Sequence, residues 1–163
     1  MILTDRRAAL YAILAAAAAL AIAHGSEAWG GLVPCALCLV ERWPWRIAIA
    51  FGLAAVFLPP RAARFALGLT ALSMLAAAVA ALVHVGVEAK WWPSPLPECA
   101  APVFTGGTIA ERLSRMPALP SKPCDEPTYL LPFLPLSMAA MHFLYALTSA
   151  ALLSWAAFRK NPA

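Results

Sequence analysis

The chain alternates between long hydrophobic stretches and polar connections, and this pattern predicts a membrane protein. Hydrophobic residues make up 63% of the 163 positions and charged residues only 12%, whereas soluble domains carry roughly 25% charged residues. A membrane-spanning helix needs about 20 mostly apolar residues. We therefore expect an all-α integral membrane protein, a single four-helix bundle over residues 1–163, with spans at about residues 8–24, 43–58, 65–87 and 136–158.

The first hydrophobic stretch has a second interpretation. Arg6 and Arg7 precede it, and Ala21-Ile22-Ala23 could serve as a small-residue cleavage site, both of which are features of a secretory signal peptide. Either interpretation brings the chain out on the outer side of the membrane. The sequence leaves open whether this stretch is retained as a span.

Two outer loops connect the spans, at residues 25–42 and 88–135. The second loop holds most of the prolines, two of the four cysteines and charges of both signs. It is too long for a simple connector, which indicates a functional role. Within it, Thr108 followed three residues later by Glu111 matches a capping box and predicts a short helix, which we expect on the membrane surface.

The distribution of charge predicts the orientation of the spans. Basic residues concentrate on the cytoplasmic side of membrane proteins. With both termini cytoplasmic, one acid, Asp5, shares that side with six bases, namely Arg6, Arg7, Arg61, Arg64, Arg159 and Lys160. All four cysteines then lie on the opposite side, in an oxidising compartment. This topology explains the net charge of +4, since the basic residues form no cluster suited to nucleic acid.

Tryptophans near the ends of spans are typical of the membrane interface. We interpret Trp43, Trp45, Trp91 and Trp92 in this way. Proline is tolerated in the first turn of a helix but not in its interior. The second span is therefore expected to begin close to Pro44.

The four cysteines divide into a close pair and a distant pair. Cys35 and Cys38 form a CxxC motif just before the second span, and Cys99 and Cys124 lie in the long loop. Such motifs are commonly redox-active, and a nearby cation favours the reactive thiolate. If a helix begins just after the motif, Arg42 and Cys38 share one helical face, because they are four residues apart.

Two structural roles compete with a redox role for these cysteines. Either disulfide could simply hold the chain, although a Cys35–Cys38 bridge would restrain very little of it. The four thiolates could instead form a zinc site. The distant pair is not a second CxxC, however, and zinc competes poorly with oxidation outside the cell, so we predict no metal.

Three histidines, His24, His84 and His142, each fall near the outer end of a span. Polar groups at membrane depth are costly and often functional. All three are therefore candidates for a site, with His84 foremost. A histidine at the interface needs no special role, so the pattern alone does not decide.

The motifs together resemble the disulfide bond formation protein B (DsbB) family, the quinone-dependent thiol oxidases of the bacterial inner membrane. The resemblance covers essentially the whole chain. It rests on the four spans, Pro34-Cys35-x-x-Cys38 with Glu41-Arg42 behind it, Trp92-Pro93-Ser94-Pro95 before Cys99, Cys124 with acidic residues after it, and Leu136-Ser137-Met138 at the last span.

This resemblance implies an electron path through two exchanging disulfides. Cys99 is expected to be attacked by the reduced thiol of a periplasmic, thioredoxin-like partner, a DsbA-like dithiol oxidase. Cys124, once released, is expected to exchange with Cys35. That exchange frees Cys38 as a thiolate.

The resemblance also implies a bound quinone, either ubiquinone or menaquinone, next to Cys38. Arg42 is expected to stabilise the Cys38 thiolate and the quinone that it reduces. His84 and Glu88 are expected near the same quinone.

Two other readings of the sequence give different functions. A quinone-linked enzyme of the vitamin K epoxide reductase type would carry its CxxC in a late helix, so the order of the motifs argues against it. A non-catalytic membrane protein could use a disulfide- or metal-stapled outer loop as a binding platform. Such a protein would not need Arg42 behind the CxxC.

Overall fold

The computed structural model describes residues 2–99, 108–114, 122–131 and 133–158. These residues form α1 Ile2–Ala28, α2 Ala36–Val40, α3 Arg42–Phe57, α4 Pro60–Glu88, α5 Ile109–Ser114 and α6 Met138–Phe158, with a 3-10 turn at Pro97–Cys99. Helix is thus the main regular structure in this part of the chain, which confirms the expected all-α class. Arg159 and Lys160, two of the bases predicted to be cytoplasmic, lie outside the described residues.

The four long helices pack side by side as a bundle. Helix α1 packs against α3 and α6, and α4 packs against the same two helices from the other side. The buried core between them is rich in alanine, including Ala9, Ala12, Ala16, Ala48, Ala77 and Ala146. Small side chains let helix backbones approach closely, which is the main source of packing energy between helices in a membrane.

Three helices in the described residues are long and apolar enough to cross a membrane, over Asp5–Ala28, Pro60–Glu88 and Met138–Ala157. Helix α3 has only 16 residues, which at 1.5 Å per residue gives about 24 Å, less than the roughly 30 Å of a hydrocarbon core. It corresponds to the stretch that the sequence identified as the shortest. Pro44 lies in its first turn, as expected.

The two ends of the bundle differ in chemistry. At one end, Asp5 of α1 lies 3.7 Å from Arg64 of α4, so these two predicted cytoplasmic charges share an end. Helices α1 and α4 both run away from that end. The CxxC motif therefore lies at the other end, where α1 finishes and α4 reaches Glu88.

The outer segments contain more helix than the predicted loop boundaries suggest. Helix α1 continues to Ala28 and α2 occupies part of the first loop. In the second loop the capping box is confirmed, since the Thr108 amide donates to Glu111 Oε2 at 3.0 Å and the Glu111 amide donates to Thr108 Oγ1 at 3.4 Å. These paired bonds satisfy two amides at the start of α5.

The chain folds back on α4 immediately after that helix ends. The indole of Trp92 donates to the Val83 carbonyl at 3.1 Å, and its ring lies on Gly86. A Cβ atom at Gly86 would lie 1.9 Å from the Trp92 ring, so only glycine accommodates this contact. The close approach holds the start of the long loop against the end of α4, beside the CxxC motif.

Candidate active site

The CxxC motif is built around the first turn of α2. Cys35 caps this helix, and its sulfur accepts a hydrogen bond from the Cys38 amide at 3.2 Å. The two Sγ atoms lie 2.9 Å apart and are not bonded to each other. The pair is therefore present as a dithiol, in a geometry that needs little movement to close a disulfide.

The loop cysteines are joined to each other. Cys99 and Cys124 form a disulfide, which confirms the pairing predicted from their spacing. In this bonded state, Cys99 and Cys124 offer no thiolates to a four-thiolate zinc site.

The two cysteine pairs lie together. Cys35, Leu37, Val87, Cys99 and Cys124 form one cluster of buried side chains, with Cys38 packed against it. We call this group the cysteine cluster. It brings residues of α2, the end of α4 and the long loop into contact, so the loop disulfide packs against the CxxC motif.

The hydrogen bond between the two CxxC sulfurs separates their acidities. It lowers the pKa of the Cys35 thiol, with help from the Cys38 amide and in spite of burial. The same bond, together with burial, raises the pKa of the Cys38 thiol. The dithiol therefore loses its first proton from Cys35.

A cavity of about 260 Å³ opens beside the motif. Cys38 lines it, whereas Cys35 does not and is instead buried in the cysteine cluster. The remaining lining is mostly apolar and comes from α1, the segment before α2, Glu41, α3, His84 of α4, the long loop and α6. One cysteine of the motif thus faces the loop disulfide and the other faces the cavity.

Arg42 also lines this cavity, but its closest partners differ from those expected. Its Nη1 and Nη2 atoms donate to the Glu27 carboxylate, and Nη1 lies 3.4 Å from His24 Nδ1. Glu41 joins α2 to α3 with αR backbone angles, and its amide donates to the Leu37 carbonyl at 3.0 Å. Cys38 and Arg42 both line the cavity.

A polar atom of Arg42 is left without a partner. The side chain is only 7% exposed, and its Nε atom has no hydrogen-bond acceptor within the described part of the chain. A buried donor without an acceptor is costly. A ligand oxygen in the adjoining cavity would supply the missing acceptor.

Glu41 joins two histidines from different helices. Its Oε1 lies 2.7 Å from His84 Nδ1 of α4, and its Oε2 is hydrogen-bonded to His142 Nδ1 of α6. On its other ring nitrogen, His84 lies 3.5 Å from Cys35 Sγ. Sequence reasoning identified both histidines but not Glu41, whose only signal was its place between the CxxC and Arg42.

Hydrogen bonds decide the charge of this carboxyl group. Burial alone would raise the pKa of Glu41, but the hydrogen bonds with His142 and His84 outweigh it, and the pKa falls below its usual value of 4.5. Glu41 is therefore an anion at neutral pH, with its two oxygens held by different helices.

Trp45 corrects one prediction. It was interpreted as an interfacial aromatic, yet it is only 2% exposed, and its Nε1 donates to His142 Nε2 at 2.7 Å. Trp43, which is 60% exposed, has the exposure that the interface requires. Two tryptophans so close in sequence differ because they lie about 200° apart around a helix.

Glu88 lies near the site but does not line the cavity in the described residues. It accepts a hydrogen bond from Ser137 at the start of α6, and its Oε1 is 4.0 Å from His84 Nε2. The structure thus brings Cys35, Cys38, Arg42 and His84 around one region, with Glu88 beside His84.

Three atoms of this region could in principle ligate a soft metal ion. The ligand atoms of Cys35, Cys38 and His84 all lie within 4.8 Å of one another. Among the described residues no fourth side chain completes that group, whereas structural zinc sites take four protein ligands. The arrangement fits a redox pair with an adjacent base better than a structural metal site.

Comparison with known proteins agrees with this geometry. The family model "Disulfide bond formation protein DsbB" matches residues 5–156, which include α3, α4, nearly all of α1 and α6, and all four cysteines. No curated protein and no solved structure matches the chain. The chain therefore belongs to the DsbB family, whose members are four-helix inner-membrane proteins and quinone-dependent oxidoreductases that generate disulfides.

Proposed function

We propose that this protein reoxidises a periplasmic, thioredoxin-like dithiol oxidase and passes the electrons to a membrane quinone. Both termini are cytoplasmic in this proposal, and the four cysteines are periplasmic. The observation that carries it is the cysteine cluster, in which a bonded pair packs against a dithiol pair. A protein that used its disulfides only to hold the chain together would not need its two cysteine pairs in contact with each other.

The first half of the reaction moves electrons from the partner through Cys124 to Cys38. The partner's thiolate attacks Cys99 and forms a mixed disulfide, and the Cys99–Cys124 bond breaks with Cys124 leaving as a thiolate. Thiol–disulfide exchange proceeds by such attacks of a thiolate on a disulfide sulfur. Cys124 then attacks Cys35 of the oxidised CxxC pair, and Cys38 leaves as a thiolate.

The second half restores the loop disulfide. The partner's second thiolate resolves the mixed disulfide and releases Cys99. Cys99 attacks Cys124 and frees Cys35. The result is a bonded Cys99–Cys124 pair and a Cys35–Cys38 dithiol, which is the combination found in the structure.

A bound quinone would supply the oxidant, since it would take up the two electrons and two protons that the Cys35–Cys38 dithiol loses when it returns to a disulfide. The cavity supports this proposal, since it is mostly apolar with a few polar groups, as ligand sites usually are. Cys38 lines it, and Arg42 brings a buried Nε donor that lacks an acceptor in the described residues. Glu27 holds the guanidinium in place from α1.

The first step requires the long loop to move. Cys99 is 4% exposed and Cys124 is fully buried, so a soluble partner cannot reach Cys99 in this arrangement. The loop must lift from α2 and the end of α4 before the mixed disulfide forms. It then returns to bring Cys124 against Cys35.

A turnover assay tests the proposal. Purified protein is mixed with a soluble quinone and a reduced DsbA-like oxidase, and loss of quinone absorbance is followed. We expect turnover in the wild type and none in Cys38→Ser or Cys99→Ser. Thr148→Val serves as the control, because within the described residues this exposed hydroxyl bonds to carbonyls of its own helix.

Two results would contradict the proposal. Full turnover in Cys99→Ser would show that the loop pair is not on the electron path. Absence of turnover with either ubiquinone or menaquinone analogues, in a folded protein with both disulfides intact, would favour the binding-platform function.

A further inference from the structure

The strongest unexplained feature is the chain of polar groups behind the CxxC motif. It consists of Trp45, His142, Glu41 and His84, which come from α3, α6, the turn before α3, and α4. Trp45, Glu41 and His84 are each no more than 5% exposed. Buried polar groups are kept in membrane proteins mainly where they have a function.

The donors in this chain fix the state of His142. Tryptophan can only donate through its indole nitrogen, and Trp45 Nε1 lies 2.7 Å from His142 Nε2. His142 Nε2 must therefore be the acceptor, without a proton. The ring proton then resides on Nδ1, from which it is donated to Glu41 Oε2.

The same reasoning fixes the state of His84. An ionised carboxylate only accepts hydrogen bonds, so the 2.7 Å contact with Glu41 Oε1 requires a proton on His84 Nδ1. A neutral imidazole then has its lone pair on Nε2. That atom lies 3.5 Å from Cys35 Sγ.

We propose that His84 is a catalytic residue that accepts the proton of the Cys35 thiol, with Glu41, His142 and Trp45 as the positioning residues that hold it in the required tautomer. This inference rests on the proposed function. The arrangement consists of a nucleophile, a base and a carboxylate that orients the base. Arrangements of this kind activate cysteine in other enzymes. Here it would operate beside a cysteine that exchanges disulfides.

The proton balance shows where this base acts. When the dithiol closes to a disulfide, Cys35 and Cys38 together lose two electrons and two protons, and the quinone gains the same number of each. Cys35 must lose its proton before its sulfur can bond to Cys38. His84 Nε2 accepts that proton. Because His84 also lines the cavity, it would hold the proton beside the place that a bound quinone would occupy.

Charged groups around His84 favour the transfer. Glu41 contacts Nδ1, and Glu88 Oε1 lies 4.0 Å from Nε2 on the same helix. The Cys35 and Cys38 sulfurs face the ring from α2 and its cap. A thiolate at Cys35 and a protonated His84 would form an ion pair, which Glu41 stabilises from the opposite side of the ring.

The tautomer can be measured without any quinone. The chain has three histidines, so ring ¹⁵N NMR of histidine-labelled protein in detergent gives few signals, which His24→Gln and His142→Gln variants assign. We expect His142 protonated at Nδ1 in the wild type. In Trp45→Phe, which removes one N–H and keeps an aromatic ring, we expect the Nε2–H form to become populated. A wild-type His142 protonated at Nε2 would overturn the proposal.

The proton transfer is tested through thiolate absorbance at ultraviolet wavelengths. Quinone-free protein with the Cys99–Cys124 bond intact is titrated in the dithiol state. In His84→Gln we expect thiolate formation to move up by about 1–3 pH units, the usual effect of losing an opposite charge next to the group. Trp45→Phe should give a smaller shift in the same direction, and Thr148→Val none.

The outcomes separate this inference from the proposed function. A titration of His84→Gln that overlays the wild type would overturn the role of His84, even if quinone turnover is normal. A shifted titration in a protein that reduces no quinone would leave His84 as the base of Cys35 and reject the quinone oxidoreductase function.

Discussion

At the scale of single residues, the site depends on a carboxylate that no motif singles out. Glu41 lies between the CxxC and Arg42, and each of its oxygens binds a histidine from a different helix. Since both histidines donate to it, the ionised form of Glu41 is part of the folded structure. Its contribution to stability must therefore depend on pH.

The sign of this dependence follows from the lowered pKa of Glu41. A carboxyl group with a lower pKa in the folded state stabilises the protein fully above its unfolded pKa and loses this contribution as the pH falls through the folded pKa. We expect Glu41→Gln to lower stability at pH 7 by about 1–3 kcal/mol. The difference from wild type should shrink as the pH falls below about 4.5.

Thermal unfolding in detergent between pH 3 and 7 measures this. Glu126→Gln is the control, because Glu126 is an exposed acid in the outer loop. A Glu41→Gln destabilisation that stayed constant across this range would mean that the charge of Glu41 is not what the histidines bind.

Arg42 and Arg46 provide a matched pair of cations on α3. Arg42 is buried beside the cavity, whereas Arg46 is exposed and lies over the Trp43 ring at 5.1 Å. We expect Arg42→Gln to raise the KM for quinone by about tenfold or more, equivalent to about 1.4 kcal/mol. Arg46→Gln should leave KM unchanged.

Steady-state kinetics with a soluble quinone distinguish the two variants. Glu27→Gln should give a weaker form of the Arg42 defect, since it removes the carboxylate that holds the guanidinium. Equal KM values for Arg42→Gln and wild type would exclude Arg42 from the quinone site.

At the scale of secondary structure, the breaks between helices determine what meets at the site. The turn at Glu41 separates α2 from α3 and directs Glu41 toward α4 and α6. The end of α4 contributes Val87 to the cysteine cluster. The contact between Gly86 and Trp92 then turns the chain back, so that Cys99 can join this cluster.

Gly86→Ala tests whether that contact positions the loop. The added Cβ would lie 1.9 Å from the Trp92 ring, so the indole must move. We expect a loss of stability of about 1–3 kcal/mol, typical of overpacking, and slower reoxidation of the partner. Gly25→Ala is the control, since its Cβ would make an ordinary 3.4 Å contact with Trp29.

A double variant separates a local clash from a general loss of helix stability. Gly86→Ala combined with Trp92→Ala removes the ring that the methyl group meets, so the two changes should couple strongly. Additive effects on stability and on partner turnover would show that the Trp92 contact does not matter.

At the scale of the whole molecule, the chemistry is concentrated at one end of the bundle. The cysteine cluster, the cavity and the polar chain around Glu41 all lie there, whereas Asp5 and Arg64 pair at the other end. Because members of the DsbB family have four membrane-spanning helices, α3 is also a membrane span, in spite of its short length. Orientation in the membrane then decides which compartment the cysteines face.

Cysteine labelling in intact cells checks this orientation. Arg61 at the start of α4 and Glu126 in the outer loop are both exposed. We expect a membrane-impermeant maleimide to label Glu126→Cys and not Arg61→Cys, because the charge distribution predicts a cytoplasmic Arg61. The parent protein gives the background from native cysteines, and the reverse pattern would invert the proposed topology.

Much of this protein could be predicted from its sequence, for a physical reason. A bilayer imposes long apolar helices and a bias of basic residues, so the all-α class and the four hydrophobic stretches were evident from composition and order alone. The pairing of Cys99 with Cys124 followed from the short spacing of the CxxC. The capping box of α5 was equally clear, because it depends on only two residues.

Only the tertiary structure decided which side chains contact each other in the site. Glu41, His84 and His142 are up to 101 positions apart, and no local pattern indicates that they meet. Trp45 looked like an interfacial residue until packing buried it against His142. Arg42 binds Glu27 of α1, a contact between two helices that the local spacing of Cys38 and Arg42 does not indicate. Local features such as a capping box depend on residues close in sequence, but the contacts between helices depend on how all four long helices pack.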